Sequence, residues 1–234
     1  MTDAGTRRAG PRRVRPTQRC QTGRVSAPIR AVLFDCDGVL QRPANDWASE
    51  IGTATGLDGA ELDAFLADVS TAERPVLTGS EPFAGPLARV IEDWGLRVRA
   101  EDLLPVWQHL VVDAGMLDAA AALRTQGIVC AIATNQHRER AVYLRRELGY
   151  ERLFDPMVVS GEIGVAKPDP AYFRHALDRL GLPGRQVLFV DDVAANVDSA
   201  RTVGLVAELF ARDGGRPELE RILALHDLAE PVVA

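Results

Sequence analysis

Four groups of residues able to do chemistry follow the ends of short apolar runs: Asp35-Cys36-Asp37-Gly38-Val39, Thr134-Asn135, Lys167-Pro168-Asp169 and Asp191-Asp192. Each run reads as a buried strand. In a parallel sheet the carboxyl ends of the strands open onto one edge, so groups more than 150 residues apart would share a single crevice. Asp35, Asp37, Asp191 and Asp192 would then bring up to four carboxylates together. Like charges in a partly desolvated site repel unless something neutralises them. A hard divalent cation does so, and oxygen-only ligation with few carboxylates suits Mg²⁺, which keeps some waters and completes its shell with substrate phosphate. Phosphate is therefore the implied substrate group.

Lys167 strengthens that reading. It is the only lysine in the chain, every other basic residue being arginine. A compact ammonium on a flexible stem reaches a carboxylate and a phosphoryl oxygen together in a crowded pocket, where a planar guanidinium fits poorly. A surface lysine that happens to precede a proline is the alternative.

The elements that must position these groups fall into two styles. Ala31-Val32-Leu33-Phe34 is a continuous apolar run of the kind found in central parallel strands. From about Pro43 to Asp113 the strand signal disappears, and helical patterns follow one another over 46–55, 58–69, 85–94 and 100–112, the last interrupted by Pro105. The rest alternates: helix 117–125, strand 128–133, helix 138–148, strand 157–160, helix 170–180, strand 187–190, helix 195–203, strand 205–210 and a last amphipathic helix 217–228. Gly127, Gly149, Gly181 and Gly204 stop successive helices. Strands alternating with helices of about ten residues predict right-handed βαβ units and a parallel sheet.

Composition permits one large domain or a domain with an insert: 234 residues, 47% hydrophobic and 26% charged. No apolar stretch approaches the roughly 18 residues of a transmembrane helix, and no secretory signal is legible, so a soluble, cytoplasmic protein is expected. Cys20, Cys36 and Cys130 match neither a disulfide framework nor a zinc site. The net charge of −6 hides an asymmetry, because residues 1–30 carry eight arginines against Asp3 alone, which leaves −13 on the remainder. Residues 1–27 read as a disordered basic tail. The acidic body argues against nucleic acid as the main partner, and no membrane contact is expected.

In order, Asp35-Cys36-Asp37-Gly38-Val39-Leu40, Ala133-Thr134-Asn135, Gly164-Val165-Ala166-Lys167-Pro168-Asp169 and Val190-Asp191-Asp192 with Asn196-Val197 resemble the motifs of the haloacid dehalogenase superfamily, over residues 30 to 212. The resemblance implies an α/β fold, a Rossmann-like parallel sheet core with an inserted helical cap. The insert read above agrees. The expected division is core at 28–42 and 114–234, with the cap at 43–113.

The resemblance also implies roles. Asp35 would be the nucleophile that forms an aspartyl-phosphate, splitting hydrolysis into two easier steps. Asp37 would protonate the leaving oxygen and then activate water, its backbone carbonyl serving as a metal ligand. Thr134 would bind a phosphoryl oxygen with Asn135 close by, and Lys167 would hold Asp35 and the phosphoryl group in line. Asp192 aligns with the direct metal ligand and Asp191 with a supporting acid, although Asp191 also suits an N-cap of the following helix. Gly38 would let the chain turn sharply after the strand.

Dehalogenases of the family lack an acid at position 37, since a halide leaves without a proton. Phosphonate-cleaving relatives need a cap lysine, and the insert has none. A Mg²⁺-dependent phosphatase acting on a small phosphorylated metabolite is expected, with a phosphomutase and a catalytically silent binding protein as alternatives. The Ser160–Val165 segment and the Thr134-Asn135-Gln136 turn resemble the branch with sugar-phosphate phosphatases and the phosphatase domain of soluble epoxide hydrolases. Monomer and homodimer both remain open.

Other residues have competing readings. Cys36, in an extended segment, should point away from its neighbours as a packed spacer. His137 is either a substrate contact or a surface residue at a helix start, whereas His109, His175 and His226 read as structural or solvated. Trp47, Trp94 and Trp107 should form the core of the cap, one of them also lining the pocket. Glu73, Arg74 and Thr78 are cap-loop candidates for specificity contacts or ordinary surface.

Overall fold

The computed structural model describes residues 1, 27–212 and 214–228. The expected basic tail thus lies outside the described residues, apart from its two end residues.

β1 (Ala31–Phe34) is buried on both faces, as a four-residue apolar run demands. A tight turn leads into β2 (Gln41–Pro43). Helices α1 (Trp47–Thr55), α2 (Gly59–Glu73), α3 (Ala84–Asp93) and the short α4 (Ala100–Leu103) follow, with 3₁₀ turns at Val76–Thr78 and Leu104–Gln108. Local chemistry sets the bounds of α1: the Asp46 carboxylate caps it by accepting from the Ala48 amide at 3.1 Å, and Gly56 ends it in the left-handed region.

The pattern over 100–112 predicts an interrupted helix, and here the structure differs. Pro105 sits in the 3₁₀ turn, and Leu110–Val112 form β3, antiparallel to β2 with Gln41 opposite Val112 and Pro43 opposite Leu110. Backbone bonds from Ala44 to His109 and from Asp113 to Leu40 flank the pairing. Two adjacent β-branched valines favour the strand, and the partner that decides it lies about 70 residues upstream, invisible to a local pattern.

The remaining chain alternates as expected, except that Ser160, expected to end a strand, opens a one-turn helix: α5 (Ala114–Thr125), β4 (Val129–Thr134), α6 (Arg138–Arg146), β5 (Met157–Val159), the one-turn α7 (Ser160–Ile163), α8 (Pro170–Leu180), β6 (Val187–Asp191), α9 (Ala194–Thr202), β7 (Val206–Leu209) and α10 (Gly215–Leu225). Five strands form one parallel sheet in the order β5-β4-β1-β6-β7. From β1 the chain builds first to one side and then to the other, which opens a crevice at the carboxyl end of β1.

Side chains alternate across the sheet. Val32, Phe34 and Ile132 pack with Met116 and Leu123 of α5 and Leu219 and Ile222 of α10. On the opposite face Leu33, Ala131 and Phe189 pack with Tyr172 and Phe173 of α8 and Val197 of α9. The helical insert has its own core, built on Ile51, Phe65, Phe83, Leu87 and Trp107.

Candidate active site

Asp35 follows the last residue of β1, its amide bonded to the Val190 carbonyl at 2.9 Å. The chain then turns on Gly38, whose φ is +89°. A Cβ there would lie 2.2 Å from Asp192 Oδ2, so the close approach as well as the backbone angle requires glycine. Cys36 points into the core between the sheet and its helices, as strand alternation predicts, and its thiol pKa is raised by burial and then by the two flanking aspartates.

Lys167 lies beneath this turn. Its Nζ donates to Asp35 Oδ1 at 2.8 Å, Asp191 Oδ2 at 2.7 Å and the Ala133 carbonyl at 2.8 Å, which uses all three ammonium protons. Burial opposes the charge, but the two carboxylates more than offset it and hold the lysine pKa above its ordinary value. Burial pushes the Asp35 carboxyl up to about 7; Lys167 opposes the rise, and Asp191 and Asp37 add to it.

Asn135 holds the lysine's own backbone at two points, Nδ2 donating to the Lys167 carbonyl at 2.8 Å and Oδ1 accepting from its amide at 2.9 Å. Thr134, the last residue of β4, is buried beside the turn. The sequence-expected residues of all four motifs thus meet at one sheet edge.

Asp191 accepts from the Val193 amide at 2.8 Å and from Asn196 Nδ2 at 3.0 and 3.1 Å, in addition to Lys167. The N-cap position of α9 is Val193, so Asp191 secures the loop before the helix. Asp192 differs: Oδ2 accepts from Arg212 at 2.7 Å, while Oδ1 is buried with no hydrogen-bond partner. Oxygens of Asp35, Asp191 and Asp192 lie within 4.8 Å of one another. Hard oxygen donors and an orphaned buried acceptor fit a divalent cation of the Mg²⁺ type.

Asp37 faces the other way, into a cleft of about 510 Å³ between the sheet edge and the insert. Its Oδ1 accepts from Gln41 and Arg140, each at 2.9 Å, and its Oδ2 from Arg140 at 2.9 Å and Gln136 at 2.6 Å. Trp47, Glu73 and Trp107 line the opposite wall. Burial pushes the Glu73 carboxyl up to about 7; Arg140 lowers it and Asp37 raises it.

Of the three cap-loop candidates, Glu73 lines the cleft, whereas Arg74 and Thr78 are exposed and outside it. Trp94 lies away from the cleft, edge-on to Phe65 and bonded to Asp68 at 2.9 Å. His137 is a buried N-cap of α6, its ring 5.0 Å from that of Phe83 in the insert. His109 pairs with Glu50 and His226 with Glu208, while His175 has a buried Nε2 without a partner.

Residues 29–204 match the family model of the haloacid dehalogenase-like hydrolases. The chain belongs to that family. Among similar proteins is a phosphatase of Mycobacterium tuberculosis, 31% identical over 223 residues, which span 87% of this chain and 99% of the relative. A phosphoglycolate phosphatase of Cupriavidus necator is 32% identical over 211 residues, 82% of this chain and 86% of that one. These relatives place this haloacid dehalogenase-like chain among the phosphoric monoester hydrolases. A family enzyme of Bacteroides thetaiotaomicron, solved with magnesium and inorganic phosphate, shares the fold with a TM-score of 0.67 at 20% identity, over 79% of this chain and 95% of its own.

Sequence reasoning missed Gln41, Gln136 and Arg140 as partners of Asp37. Gln136 precedes the His137 N-cap of α6 and Arg140 lies in its first turn, and Arg140 Nη1 donates to Gln136 Oε1 at 2.9 Å. Their closeness in sequence was available, but Arg138-Glu139-Arg140 reads as a solvated charged turn.

Proposed function

We propose that this protein is a Mg²⁺-dependent phosphatase that hydrolyses a small phosphomonoester through an aspartyl-phosphate at Asp35. The observation that carries the reading is the meeting of Asp35, Asp191 and Asp192 oxygens within 4.8 Å of one another, the first two sharing the Lys167 ammonium and Asp192 keeping an orphaned oxygen. Asp35 and Asp192, with the Asp37 backbone carbonyl, would hold the ion and Asp191 would support it. The ion's chemistry there is to offset the charge of the phosphate and keep the nucleophile ionised.

In the first half-reaction an Asp35 carboxylate oxygen attacks phosphorus. The new O–P bond forms as the bond to the leaving oxygen breaks, and Asp37 gives that oxygen its proton. In the second, Asp37 takes a proton from the water that attacks phosphorus, which restores Asp35 and releases phosphate. Lys167 keeps Asp35 in line throughout, and the Thr134 hydroxyl would meet a phosphoryl oxygen. Residues 43–113 act as the cap over the leaving group.

Two indole faces beside Glu73, Gln136 and Arg140 suit a leaving group with several hydroxyls, so a sugar phosphate is the favoured substrate. The −13 charge of the body disfavours a polyanionic partner.

The test is phosphate release from sugar phosphates, phosphoglycolate and an aryl phosphate, with and without chelator, for wild type and Asp35→Asn. Mg²⁺-dependent release abolished in the variant and by chelator is expected. Release that survives Asp35→Asn would remove Asp35 as nucleophile.

A further inference from the structure

We propose that Arg140 is the positioning residue for Asp37 and that the insert completes its grip through Trp47. The inference rests on the phosphatase reading above. A carboxylate offers about four acceptor sites, and on Asp37 two are taken by Arg140, one by Gln41 and one by Gln136. Gln41 is itself fixed, since its Oε1 accepts from the buried Tyr150 hydroxyl at 2.9 Å. Asp37 is thus held by three side chains from two parts of the chain, Gln41 of β2 and the Gln136–Arg140 segment.

The Arg140 side chain also meets a helix of the insert. It is buried, and its Cζ lies 5.2 Å from the centroid of the Trp47 ring on α1. Its Nε is buried with no hydrogen-bond partner. Here the guanidinium is located by its bidentate edge on Asp37, its bond to Gln136 and its face against Trp47. Glu73, from the end of α2, adds a charge-sensitive neighbour on the same side.

To act as the acid, Asp37 must release one of its four N–H donors and take up a proton from solvent in its place, and that proton then passes to the leaving oxygen. The fork confines the carboxylate so that a single exchange suffices, and small displacements of an acid are costly to rate. Because Trp47 belongs to the insert, the grip is complete only while the insert lies against the core. Lysine cannot replace the fork, having neither a bidentate edge nor a flat face.

Leaving-group dependence tests this. Arg140→Lys should lower kcat/KM, which reports the steps up to the aspartyl-phosphate and not the later water attack that Asp37 also assists, about 100-fold on glycerol phosphate, but less than about 5-fold on para-nitrophenyl phosphate, whose leaving group departs without a proton. Inhibition by inorganic phosphate should change little, since Arg140 does not face Lys167. Trp47→Leu should give the same split in smaller degree. In an Asp37→Asn background Arg140→Lys should add nothing to the split.

Equal losses on both esters, or none, would overturn the proposal. If Arg140→Lys fails to fold, Trp47→Leu decides by the same criterion. A wild type that turns over neither ester removes the phosphatase reading and this inference with it, which separates the two failures.

Discussion

At the scale of single residues, the site is a set of carboxylates kept apart by different partners. Asp35 and Asp191 share one ammonium, Asp37 has a guanidinium and two amides, and Asp192 has Arg212 on one oxygen and nothing on the other. Gly38 makes that arrangement possible by letting the turn pass against Asp192. Gly38→Ala combines a positive φ with a Cβ 2.2 Å from Asp192 Oδ2, and should cost about 1–3 kcal/mol of stability along with most of the activity. Urea unfolding and phosphate release check it; an alanine variant of wild-type stability would mean that the turn has room the structure does not show.

The aspartates were legible in the sequence because each pair ends an apolar run, a contrast that needs no tertiary information; Lys167 stood out as the lone lysine, but it does not follow a strand as expected and lies in the loop between α7 and α8, eight residues beyond β5. Arg140 and Gln136 carried no such contrast. They sit in a polar helix start, and only the folded chain brings Asp37, about 100 residues upstream, onto them.

At the scale of elements, the helices of the core were readable from period and glycine stops, whereas the β2/β3 ribbon was not. Each of its strands has three residues, one contains Pro43, and the pairing is long-range. Helix α2 shows a further consequence of tertiary placement, since its last residue, Glu73, reads in the sequence as a cap-loop residue, either a specificity contact or ordinary surface, and the fold puts it in the cleft. Its carboxyl holds a proton to about pH 7 in the fold, mainly through burial, and to about 4.5 when exposed. Folded protein therefore binds more protons than unfolded protein between those values, so stability falls as pH rises through that window and is level above it. Glu73→Gln lacks this slope. It should be more stable than wild type at pH 8 by about 2 kcal/mol, with the difference vanishing below about pH 4.5. Denaturant unfolding at the two pH values tests this, and a pH-independent difference would show that the carboxyl is ionised throughout.

At the scale of the whole molecule, two cores meet across a cleft. The layered sheet core carries all four motifs on one edge, and the helical insert supplies the wall facing them. Charge in the sheet core is unbalanced towards acid at the metal-type cluster, so binding of Mg²⁺ should stabilise the folded state. At about 100 times its Kd the ion adds about 2.7 kcal/mol, or about 5–10 °C in Tm for a chain of this size. Asp192→Asn should lose most of that shift in a thermal melt, while an unchanged shift would place the ion elsewhere. Among the described residues no helix is long and apolar enough to cross a membrane.

The lone lysine has a practical corollary. Its amine is covered by two carboxylates and a carbonyl, and its side chain is only 2% exposed. Amine-directed reagents therefore meet a protein with no accessible ε-amino group, and any labelling beyond the terminal α-amine must occur at the heart of the site. A mild acylating reagent, followed by mass spectrometry, becomes a reporter of how often that pocket opens, read from one position in a background of zero.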